Sequence, residues 1–478
     1  MSTDLCFTAA RELARLIRQR QVSAREVMLA FLSRIERLNP TLNAIVARLP
    51  TEACLHLADD ADRLLAAGGP VGPLHGLPIA FKDAEPAVGF PFTRGSLIFE
   101  HDMPKTDSVL VERLRRAGVI PIGKTNISEF TMGSHTYNRV YGTTVNPYDT
   151  TKSAGGSSGG AAAAVAAGLL PLADGSDLGG SLRNPASFNN VVAIRPSAGL
   201  VPNAPVPFPL IDFLTKGPIA RSVDDAAFML SAIAGRDARD PRTWPSDPEG
   251  FARPVEPAAD GVRVAWCPDL GGLPLDPRVR TVIETQRRTL EGLGCRLDDV
   301  APELLEADDV FLTVRSWMSA HTLGPLLDRH RDLMKPEAIW QIERGRRVTA
   351  SEAALALARQ ADLIERFRAF QDRYDVIACA TSQVPPFDAT WTWPREVDGT
   401  EMEHYIAWMR STYWFSVLQV PAMSVPAGFT ADGLPVGIQL VGRWGADLDL
   451  LRFARAFEAV SGVGRVPPAC LPQPPVVE

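Results

Sequence analysis

The stretch that most constrains the fold is residues 153–183, in which glycine and serine cluster twice around a run of alanine. The first cluster, residues 155–160, reads GGSSGG, and the second, residues 177–181, reads DLGGS. Glycines at this density let the backbone adopt positive φ and approach a ligand closely. The intervening AAAAVAAGLLPLA is typical of a buried helix that runs into an apolar strand, which a flexible linker would not contain. The pattern therefore indicates a catalytic core with serine hydroxyls beside backbone N–H groups.

Composition limits the class of protein and of partner. The chain has 478 residues, of which 46% are hydrophobic and 22% charged, with a formal net charge of −7, as in ordinary globular proteins. This acidic balance, without a lysine- or arginine-rich run, argues against nucleic acid as a partner. The longest apolar stretch is broken by Gly168 and Pro171 and is too short to span a bilayer. We therefore expect a cytoplasmic protein with no membrane span and no nucleic-acid partner.

Cysteine and histidine give no sign of a disulfide framework or a metal site. The six cysteines lie far apart without a C-x-x-C pair, and the seven histidines show no ligand spacing. Scattered buried thiols are therefore expected at Cys6, Cys54, Cys267, Cys295, Cys379 and Cys470. We expect neither a metal nor another cofactor.

Helix and strand patterns alternate along the chain. Apolar residues at helical spacing predict three N-terminal helices at 8–19, 23–37 and 51–67. Asn39-Pro40 is expected to end the second of these helices. Short apolar runs predict strands at 77–81, 119–122, 191–196, 262–266 and 374–380. Residues 217–221 are typical of a turn, and Asp432-Gly433 is typical of the turn of a hairpin.

Strands interleaved with helices argue for an α/β fold with a central sheet covered on both faces by helices. No internal repeat or clean linker is visible, so residues 1–478 are interpreted as a single large domain. Its expected parts are N-terminal helices (about 8–67), a catalytic core (about 70–235), a mainly helical excursion (about 236–400) and a C-terminal sheet and helix (about 401–465).

Two short motifs match known sites without the context that those sites need. Residues 118–125 fit the phosphate-loop pattern G-x-x-x-x-G-K-[ST], but the middle residues VIPI are strand-like and a helix precedes them. Residues 155–159 fit the nucleophile elbow G-x-S-x-G, but polar NPYDTTKSA stands where a hydrophobic strand is required. A Ser-His-Asp triad with His321, His330 or His404 stays open, although these histidines are typical of surface or packing positions.

A charged pair, Lys82-Asp83, directly follows the predicted strand 77–81. Such a pair is commonly the exposed end of a strand. Less commonly the lysine stays buried, where desolvation lowers its pKa so that it can act as a neutral base. The residues alone leave both interpretations open.

Seven segments form an ordered set over most of residues 8–460: LHGLPIAFKD, GKTNISEFTMGS, YGTTVNPYD, GGSSGG, DLGGSLRNPASF, KGPIARSVDDAA and VPAMSVPAGFTADGLPVGIQLVG. Together they resemble the amidase signature family, which includes fatty acid amide hydrolase, bacterial amidases and amidotransferase A subunits. GGSSGG alone would be weak evidence, but the ordered set is specific. The resemblance implies the fold of this family, a mixed twisted β-sheet covered on both faces by helices within one large α/β domain.

The resemblance also implies a Ser–cis-Ser–Lys triad. Ser181 would be the nucleophile, Ser157 would bridge it to Lys82, and the peptide bond between residues 156 and 157 would be cis. The residue types are consistent with this chemistry. A serine hydroxyl needs a base, and a buried neutral lysine can accept its proton through a second hydroxyl.

Other site residues follow from the same resemblance. The oxyanion hole would be formed by the backbone N–H groups of Leu178, Gly179, Gly180 and Ser181. Ser158 would form a hydrogen bond within its cluster, and Asp177 and Arg183 would hold the loop by charge-assisted hydrogen bonds. The segment that lines the acyl pocket in relatives is matched by Met132, Gly133 and Ser134.

The sequence departs from the family pattern near its C-terminus. Residues 414–419 read WFSVLQ, a run that puts bulk and apolar surface where many relatives have a proline and a glycine. Four tryptophans fall within one short span: Trp391, Trp393, Trp408 and Trp414. They are compatible with core packing or with an aromatic-lined mouth for apolar or aryl substrates. Trp414 and Phe415 are therefore candidate substrate-pocket residues.

The sequence thus predicts a metal-free, cofactor-free serine hydrolase that cleaves C–N bonds of hydrophobic or aryl amides or carbamates through an acyl-enzyme, with water as acceptor. A carbamate-selective urethanase or an aryl esterase stays an alternative, because all three small-molecule substrates present the same electrophile. An amidotransferase A subunit would need partner chains and a polar glutamine pocket, which the tryptophan-rich span argues against. A noncatalytic binding protein is disfavoured by the joint presence of Lys82, Ser157 and Ser181. We expect a monomer or a homodimer.

Overall fold

The structure is a computed structural model that describes residues 4–211 and 213–468. Its helices are α1 (Ala10–Arg18), α2 (Ala24–Leu42), α3 (Thr51–Ala66), α4 (Val109–Arg116), α5 (Gly159–Ala166), α6 (Arg183–Phe188), α7 (Val223–Ile233), α8 (Pro248–Ala252), α9 (Pro277–Gly292), α10 (Ala307–His330), α11 (Pro336–Arg346), α12 (Ala350–Gln371), α13 (Arg410–Val417) and α14 (Asp447–Ser461). Its strands are β1 (Ile45–Val46), β2 (Pro78–Lys82), β3 (Ile120–Thr125), β4 (Tyr137–Asn138), β5 (Gly142–Thr143), β6 (Leu172–Asp177), β7 (Val192–Arg195), β8 (Thr215–Ala220), β9 (Arg263–Trp266), β10 (Arg296–Asp299), β11 (Val376–Ala380), β12 (Glu396–Val397), β13 (Thr400–Glu401), β14 (Ala422–Phe429) and β15 (Pro435–Val441).

The large sheet has eight strands in the order β10-β9-β11-β15-β14-β7-β8-β6. Strands β10 and β11 pair with β9 in parallel and the other pairs are antiparallel, so the sheet is mixed. A smaller sheet, β1-β3-β2, pairs β2 with β3 in parallel. Strand β2 also contacts β6, at the edge of the large sheet. This contact brings Lys82, the last residue of β2, beside the strand that leads into the second serine cluster.

The two faces of the large sheet belong to two hydrophobic cores, because successive strand residues point to opposite faces. Along β11, Ala378 and Ala380 lie in one core, and Ile377 and Cys379 lie in the other. The first core takes its helical side chains from elements that include α5, α7, α9 and α14, and the second from α10 to α13. The predicted fold is therefore confirmed: one α/β domain with a mixed sheet covered on both faces.

Helix α2 runs past the residue that was expected to end it. Ser23 and Glu26 form a capping box at its start, where each side chain accepts the backbone N–H of the other residue. Pro40 lies inside the last turn and the helix continues to Leu42. A proline disrupts a helix through its own missing N–H and a clash one turn back. Here the chain ends the helix two residues later, with Asn43 in the left-handed conformation.

Residues 217–221, predicted as a turn, lie largely within β8 instead. Gly217 and Pro218 are typical turn residues, but β8 pairs with β6 along its whole length. Strand β7 pairs only with Ile219 and Ala220, so Pro218 lies where the ladder on that side has ended. Tertiary pairing therefore overrides the local preference for a turn.

Two further differences concern strands. The strand expected at 119–122 extends to Thr125 and takes in the residues Gly123, Lys124 and Thr125. These residues therefore form a strand rather than an open phosphate loop. The sequence pattern also does not predict β10, a charged and largely exposed strand at the edge of the large sheet.

The described cysteines are free thiols. Cys6, Cys54, Cys267 and Cys379 are buried and Cys295 is half-buried, whereas Cys470 lies outside the described residues. Within the described residues, the helices are too short or too polar to cross a membrane.

Candidate active site

Lys82 is fully buried at the end of β2, which excludes its interpretation as an exposed strand end. Its Nζ donates to three hydroxyl oxygens, at 2.9 Å to Ser157, 2.7 Å to Ser158 and 2.9 Å to Ser176. Among residues 4–211 and 213–468, no carboxylate lies within ion-pair distance of this amine, whereas Lys124 and Lys216 each have a carboxylate partner. Lys82 is thus surrounded by hydroxyls rather than by counter-charges.

Burial lowers the pKa of Lys82 to about 7, because the ammonium form loses its hydration there. The negative charges of Asp174, Glu85 and Asp177 act in the opposite direction. Asp174 acts from the backbone side, where its carboxylate accepts the Lys82 N–H at 3.1 and 3.2 Å. A neutral amine is therefore accessible near neutral pH, as a general base requires.

The loop before α5 holds Ser157 beside this amine. The Gly156–Ser157 peptide bond is cis. A Cβ on Gly156 would lie 2.8 Å from the backbone nitrogen of His135, so glycine is required at this position. The Ser158 N–H donates to the carbonyl oxygen of Ser181 at 3.3 Å. The two serine clusters, far apart in the sequence pattern, are therefore in direct contact.

Asp177 holds the second serine cluster at the end of β6. Its carboxylate accepts the N–H groups of Gly180 at 2.8 Å and of Leu182 at 3.2 Å. It also pairs with Arg183 at 2.9 Å and Arg195 at 3.4 Å, and all three charged side chains are fully buried. Burial opposes ionisation, but the two guanidinium groups outweigh it and hold the pKa of Asp177 well below its usual range. These charge-assisted hydrogen bonds fix the loop that carries Ser181.

Three of the four N–H groups expected in the oxyanion hole make no hydrogen bond to the described residues, and their residues border a cavity: Leu178, Gly179 and Ser181. Gly180 corrects the expectation, because its N–H donates to Asp177. Its φ is +114°, and a Cβ there would lie 2.3 Å from Oγ1 of Thr412. Gly180 therefore faces Thr412 and allows the loop to adopt its conformation. The other three backbone N–H groups are left as free donors at the cavity.

A cavity of about 490 Å³ opens at Ser181. Ser176, Leu178 and Gly179 border it at the same end. Its walls are mainly apolar and include five phenylalanine rings: Phe92, Phe130, Phe208, Phe213 and Phe311. Methionine, leucine, isoleucine and proline side chains complete these walls. A concavity of this kind, with a few polar groups at one end, is typical of a small-molecule site.

The predicted pocket residues divide between cavity and core. Met132 and Gly133 line the cavity, whereas Ser134 lies behind its wall and donates its hydroxyl proton to the carbonyl oxygen of Gly156. The prediction for Trp414 and Phe415 is wrong, because both are buried in the second core on α13.

The contacts of these two rings explain why they do not line the cavity. The Trp414 indole N–H donates to Asp308 at 3.3 Å, and the Phe415 ring packs edge-to-face on Phe367. The other tryptophans of that span, Trp391, Trp393 and Trp408, do not line the cavity either. Its aromatic surface consists of phenylalanine instead.

One face of α10 forms a wall of the cavity that the sequence reasoning missed. Its lining residues recur at helical spacing: Phe311, Arg315, Met318, Ser319, Thr322 and Leu323. This spacing is present in the sequence, but it predicts only an amphipathic helix and not the partner of its face. The segment 203–208, which also lines the cavity, was likewise not predicted.

No histidine lines the cavity among the described residues. His135 is buried, with its ring nitrogens at 2.7 Å from Ser153 Oγ and 3.1 Å from the carbonyl oxygen of Ala389, and burial lowers its pKa to about 4. His321, His330 and His404 belong to α10 or to the segment before α13 and are not among the lining residues, although the His321 ring packs against Phe208 of the wall. The open alternative of a Ser-His-Asp triad is therefore not supported by the geometry. The described residues also contain no cluster of histidine, cysteine and acidic side chains that could hold a metal ion.

Lys124, the lysine of the phosphate-loop motif, is engaged elsewhere. Its Nζ donates to the carbonyl oxygen of Glu85 at 2.5 Å and lies 3.6 Å from Asp83 Oδ1. Both charged side chains are fully buried. The lysine therefore pairs with a buried carboxylate and does not line the cavity at Ser181.

Comparison with known proteins identifies the family of the chain. The family described as Amidase matches residues 26–451. An acylamidase of Rhodococcus erythropolis is 35% identical to the chain over 461 residues, which is 96% of each protein. The A subunit of a glutamyl-tRNA(Gln) amidotransferase from Ralstonia nicotianae is 35% identical, with 92% of this chain and 94% of that protein covered.

A solved structure extends the comparison to three dimensions. It is that of a bacterial aryl acylamidase belonging to the amidase signature enzymes, and it matches with a TM-score of 0.89 and 27% identity. The match covers 98% of this chain and 99% of that chain. Sequence match and fold agree over nearly the whole length. The chain belongs to the amidase signature family and is a hydrolase that acts on amides.

Proposed function

We propose that the protein is a serine hydrolase in which Ser181 is the nucleophile, Ser157 relays its proton, and Lys82 is the base. The observation that carries this proposal is the buried Lys82 amine, 2.9 Å from Ser157 Oγ and without a carboxylate partner among the described residues. Ser181 supplies a hydroxyl at the cavity, on a loop that contacts the Ser157 cluster through the Ser158–Ser181 hydrogen bond.

In the first step Ser181 Oγ attacks the carbonyl carbon of the substrate. Its proton passes to Ser157, whose own proton passes to the neutral Lys82 amine. The carbonyl oxygen becomes an anion, which the free N–H groups of Leu178, Gly179 and Ser181 can stabilise. One such donor is typically worth about 10²–10³ in rate.

The second step breaks the C–N bond. The proton held by Lys82 returns through Ser157 to the leaving nitrogen, so that the amine departs neutral and an ester of Ser181 remains. Water then repeats the sequence on this acyl-enzyme. It gives its proton to the same relay, adds its oxygen to the carbonyl carbon and releases the acid, which restores the Ser181 hydroxyl.

The substrate side of the proposal rests on the walls of the cavity. Five phenylalanine rings and several aliphatic side chains favour a hydrophobic or aryl amide, since apolar surface removed from water stabilises a complex by about 25 cal/mol per Å². An aryl carbamate or aryl ester presents the same carbonyl to Ser181. Glutamine would fit such walls poorly, which disfavours the amidotransferase alternative for this chain.

The proposal is tested with a panel of p-nitroanilide, aryl carbamate, aryl ester and glutamine substrates. We expect Ser181→Ala to lower turnover by about 10⁴-fold or more, because the nucleophile is lost. The same substitution at Ser351, exposed on α12, serves as the matched control and should change nothing. Excess EDTA should also leave the wild-type rate unchanged.

The panel and a covalent probe together decide the assignment. A fluorophosphonate should label Ser181 in the wild type, as mapped by peptide mass spectrometry, and should label nothing in Ser181→Ala. Undiminished turnover in that variant, or labelling at another serine, would contradict the proposal. Turnover of glutamine above that of the anilides would favour the amidotransferase alternative.

A further inference from the structure

Arg315 is a charged lining residue of the cavity that is only 9% exposed and forms no ion pair with the described residues. It lies on the cavity face of α10, one helical turn beyond Phe311. Phe311 itself packs on the oxyanion loop: a Cβ on Gly179 would lie 2.9 Å from its ring. Four residues of α-helix rise by about 6 Å. Arg315 therefore lies about one helical turn from Phe311, the residue that contacts the oxyanion loop.

The partners of Arg315 among the described residues are neutral. Its Nη1 donates to Oε1 of Gln341 at 2.7 Å, and the same oxygen accepts the hydroxyl proton of Tyr405 at 3.0 Å. The guanidinium carbon lies 5.7 Å from the Phe311 ring centre and 5.5 Å from that of Tyr405. These contacts orient the guanidinium group, but none of them neutralises its charge.

The other charged side chains that line the cavity have counter-charges. Glu85 and Lys216 pair with each other at 2.7 Å. Arg94 lies 3.9 Å from Asp102 and is partly exposed, so water also stabilises it. Within the described residues, Arg315 is the lining charge with no opposite charge in ion-pair distance.

Glu337, on the neighbouring helix α11, does not fill this role. Its carboxylate accepts the hydroxyl proton of Tyr137 at 3.1 Å and forms no ion pair with Arg315. A guanidinium buried without a counter-ion is costly, and a carboxylate that enters its site offsets this cost. Arginine suits this task, because its planar fork can donate two parallel hydrogen bonds to one carboxylate.

Resting on the proposed function, we propose that Arg315 binds a carboxylate of the substrate, at the end of an apolar or aryl body remote from the scissile bond. The substrate class is an amide, or an equivalent carbamate or ester, that carries a free carboxylate. The apolar walls bind the body and Arg315 sets the specificity for the anionic end. The carboxylate belongs either to the acyl part or to the amine part, and the two sources are separated by experiment.

Two matched pairs of substrates make this test. The first pair is the mono-4-nitroanilide of adipic acid and its methyl ester, which place the charge or its neutral equivalent in the acyl part. The second pair is N-hexanoyl-4-aminobenzoate and its methyl ester, which do the same in the amine part. We expect the wild type to prefer the acid of one pair by at least tenfold in kcat/KM, mainly through a lower KM.

Arg315→Gln should remove this preference and leave kcat/KM for the neutral esters within about threefold. Arg315→Lys, which keeps the charge without the fork, should retain part of it. Arg359→Gln is the matched control. Arg359 lies on α12 and pairs at an exposed position with Asp309 of α10, the helix that carries Arg315. It should leave every value unchanged.

A binding measurement separates this inference from the proposed mechanism. In Ser181→Ala, calorimetry should detect the preferred acid, and adding Arg315→Gln should weaken its binding at least tenfold. Ester turnover that is lost in Ser181→Ala would uphold the mechanism whatever Arg315 does. A wild type without preference for either acid, an equal loss for acids and esters in Arg315→Gln, or unchanged binding of the acid would each overturn the role of Arg315.

Discussion

The two ends of the cavity are built in different ways. At the reacting end, Lys82, Asp177 and Arg183 are fully buried, and each forms at least three hydrogen bonds with its surroundings. At the other end, the face of α10 presents side chains such as Met318 and Leu323 that are only half-buried.

This difference indicates where the protein tolerates amino-acid substitutions. A buried polar group that loses one partner pays the cost of leaving the other unsatisfied, about 1–3 kcal/mol for a neutral group and more for a charged one. An apolar residue at a half-buried wall loses only contact area. We infer that the reacting end accepts almost no substitution, whereas the helical wall can change and adjust the substrate range.

After the loss of the nucleophile itself, the largest effect is expected at Lys82. Lys82→Met keeps an apolar stem and removes the amine that contacts Ser157, Ser158 and Ser176. General base catalysis typically contributes 10²–10⁴-fold, so kcat/KM for an anilide should fall by about that factor. An aryl ester should lose no more than the anilide, because its better leaving group needs less help from a proton.

Steady-state kinetics with both substrates measure this effect, and thermal unfolding shows whether the variant still folds. The same substitution at the exposed Lys105 is the control and should be neutral. A folded Lys82→Met enzyme with full activity would erase the contrast between the two ends of the cavity.

The pH dependence gives the next effect. The ammonium form cannot accept a proton, so kcat/KM for a neutral anilide should rise about tenfold per pH unit up to the pKa of Lys82, about 7, and then level off. The negative charge of Asp174 raises the pKa of Lys82. Asp174→Asn removes this charge and should move the rising limb to lower pH.

The variant is needed because burial also raises the pKa of Asp174, to about 7. Lys82 and Asp174 therefore titrate in the same pH range, and the wild-type profile alone does not show which of the two causes the rise in kcat/KM. A limb that stays in place or moves to higher pH in Asp174→Asn would argue against Lys82 as the base. A pH profile of kcat/KM between pH 5 and 9 makes the measurement.

The smallest effect is expected at the helical wall. Met318→Ala removes apolar contact on the α10 face, so kcat/KM for a hexanoyl anilide should fall by about three- to tenfold, within the range for a lost hydrophobic contact. The acetyl anilide, which is too short to gain much from that contact, should change less than twofold. Trp391→Ala, at an exposed ring outside the cavity lining, is the control. Equal losses for both acyl lengths would mean that Met318 supports the fold rather than the substrate.

The residues of the proposed reacting end could be anticipated from the sequence, because the proposed chemistry requires particular residue types in a fixed order. Lys82 directly follows the apolar stretch 77–81, and Ser157 and Ser181 lie in glycine-rich turns. Resemblance to a family gave these residues roles, and the structure adds the contacts of Lys82. Gly180 was grouped with its neighbours because spacing does not reveal which N–H group the Asp177 carboxylate occupies.

The wall formed by α10 could not be anticipated, because the sequence of a helix does not reveal which part of the fold its apolar face contacts. Trp414 and Phe415 pack into the second core, while Phe311 and Arg315 from a segment recognised only as helical line the cavity. The fold shows the same limit. The hairpin at Asp432-Gly433 is local and its prediction was confirmed. Strand β8 depends on partners distant in the chain, so its residues were taken for a turn.

The hydrogen bonds of Asp177 connect the second serine cluster to distant parts of the fold. Through Arg183 it is linked to Gln439 on β15 and to the Thr412 carbonyl oxygen on α13, and through Arg195 to β7. The loop that carries the proposed nucleophile and the packing of β7, β15 and α13 therefore depend on the same buried carboxylate. After heating, the residual activity should therefore equal the fraction of molecules that are still folded, because each folded molecule keeps its full turnover rate.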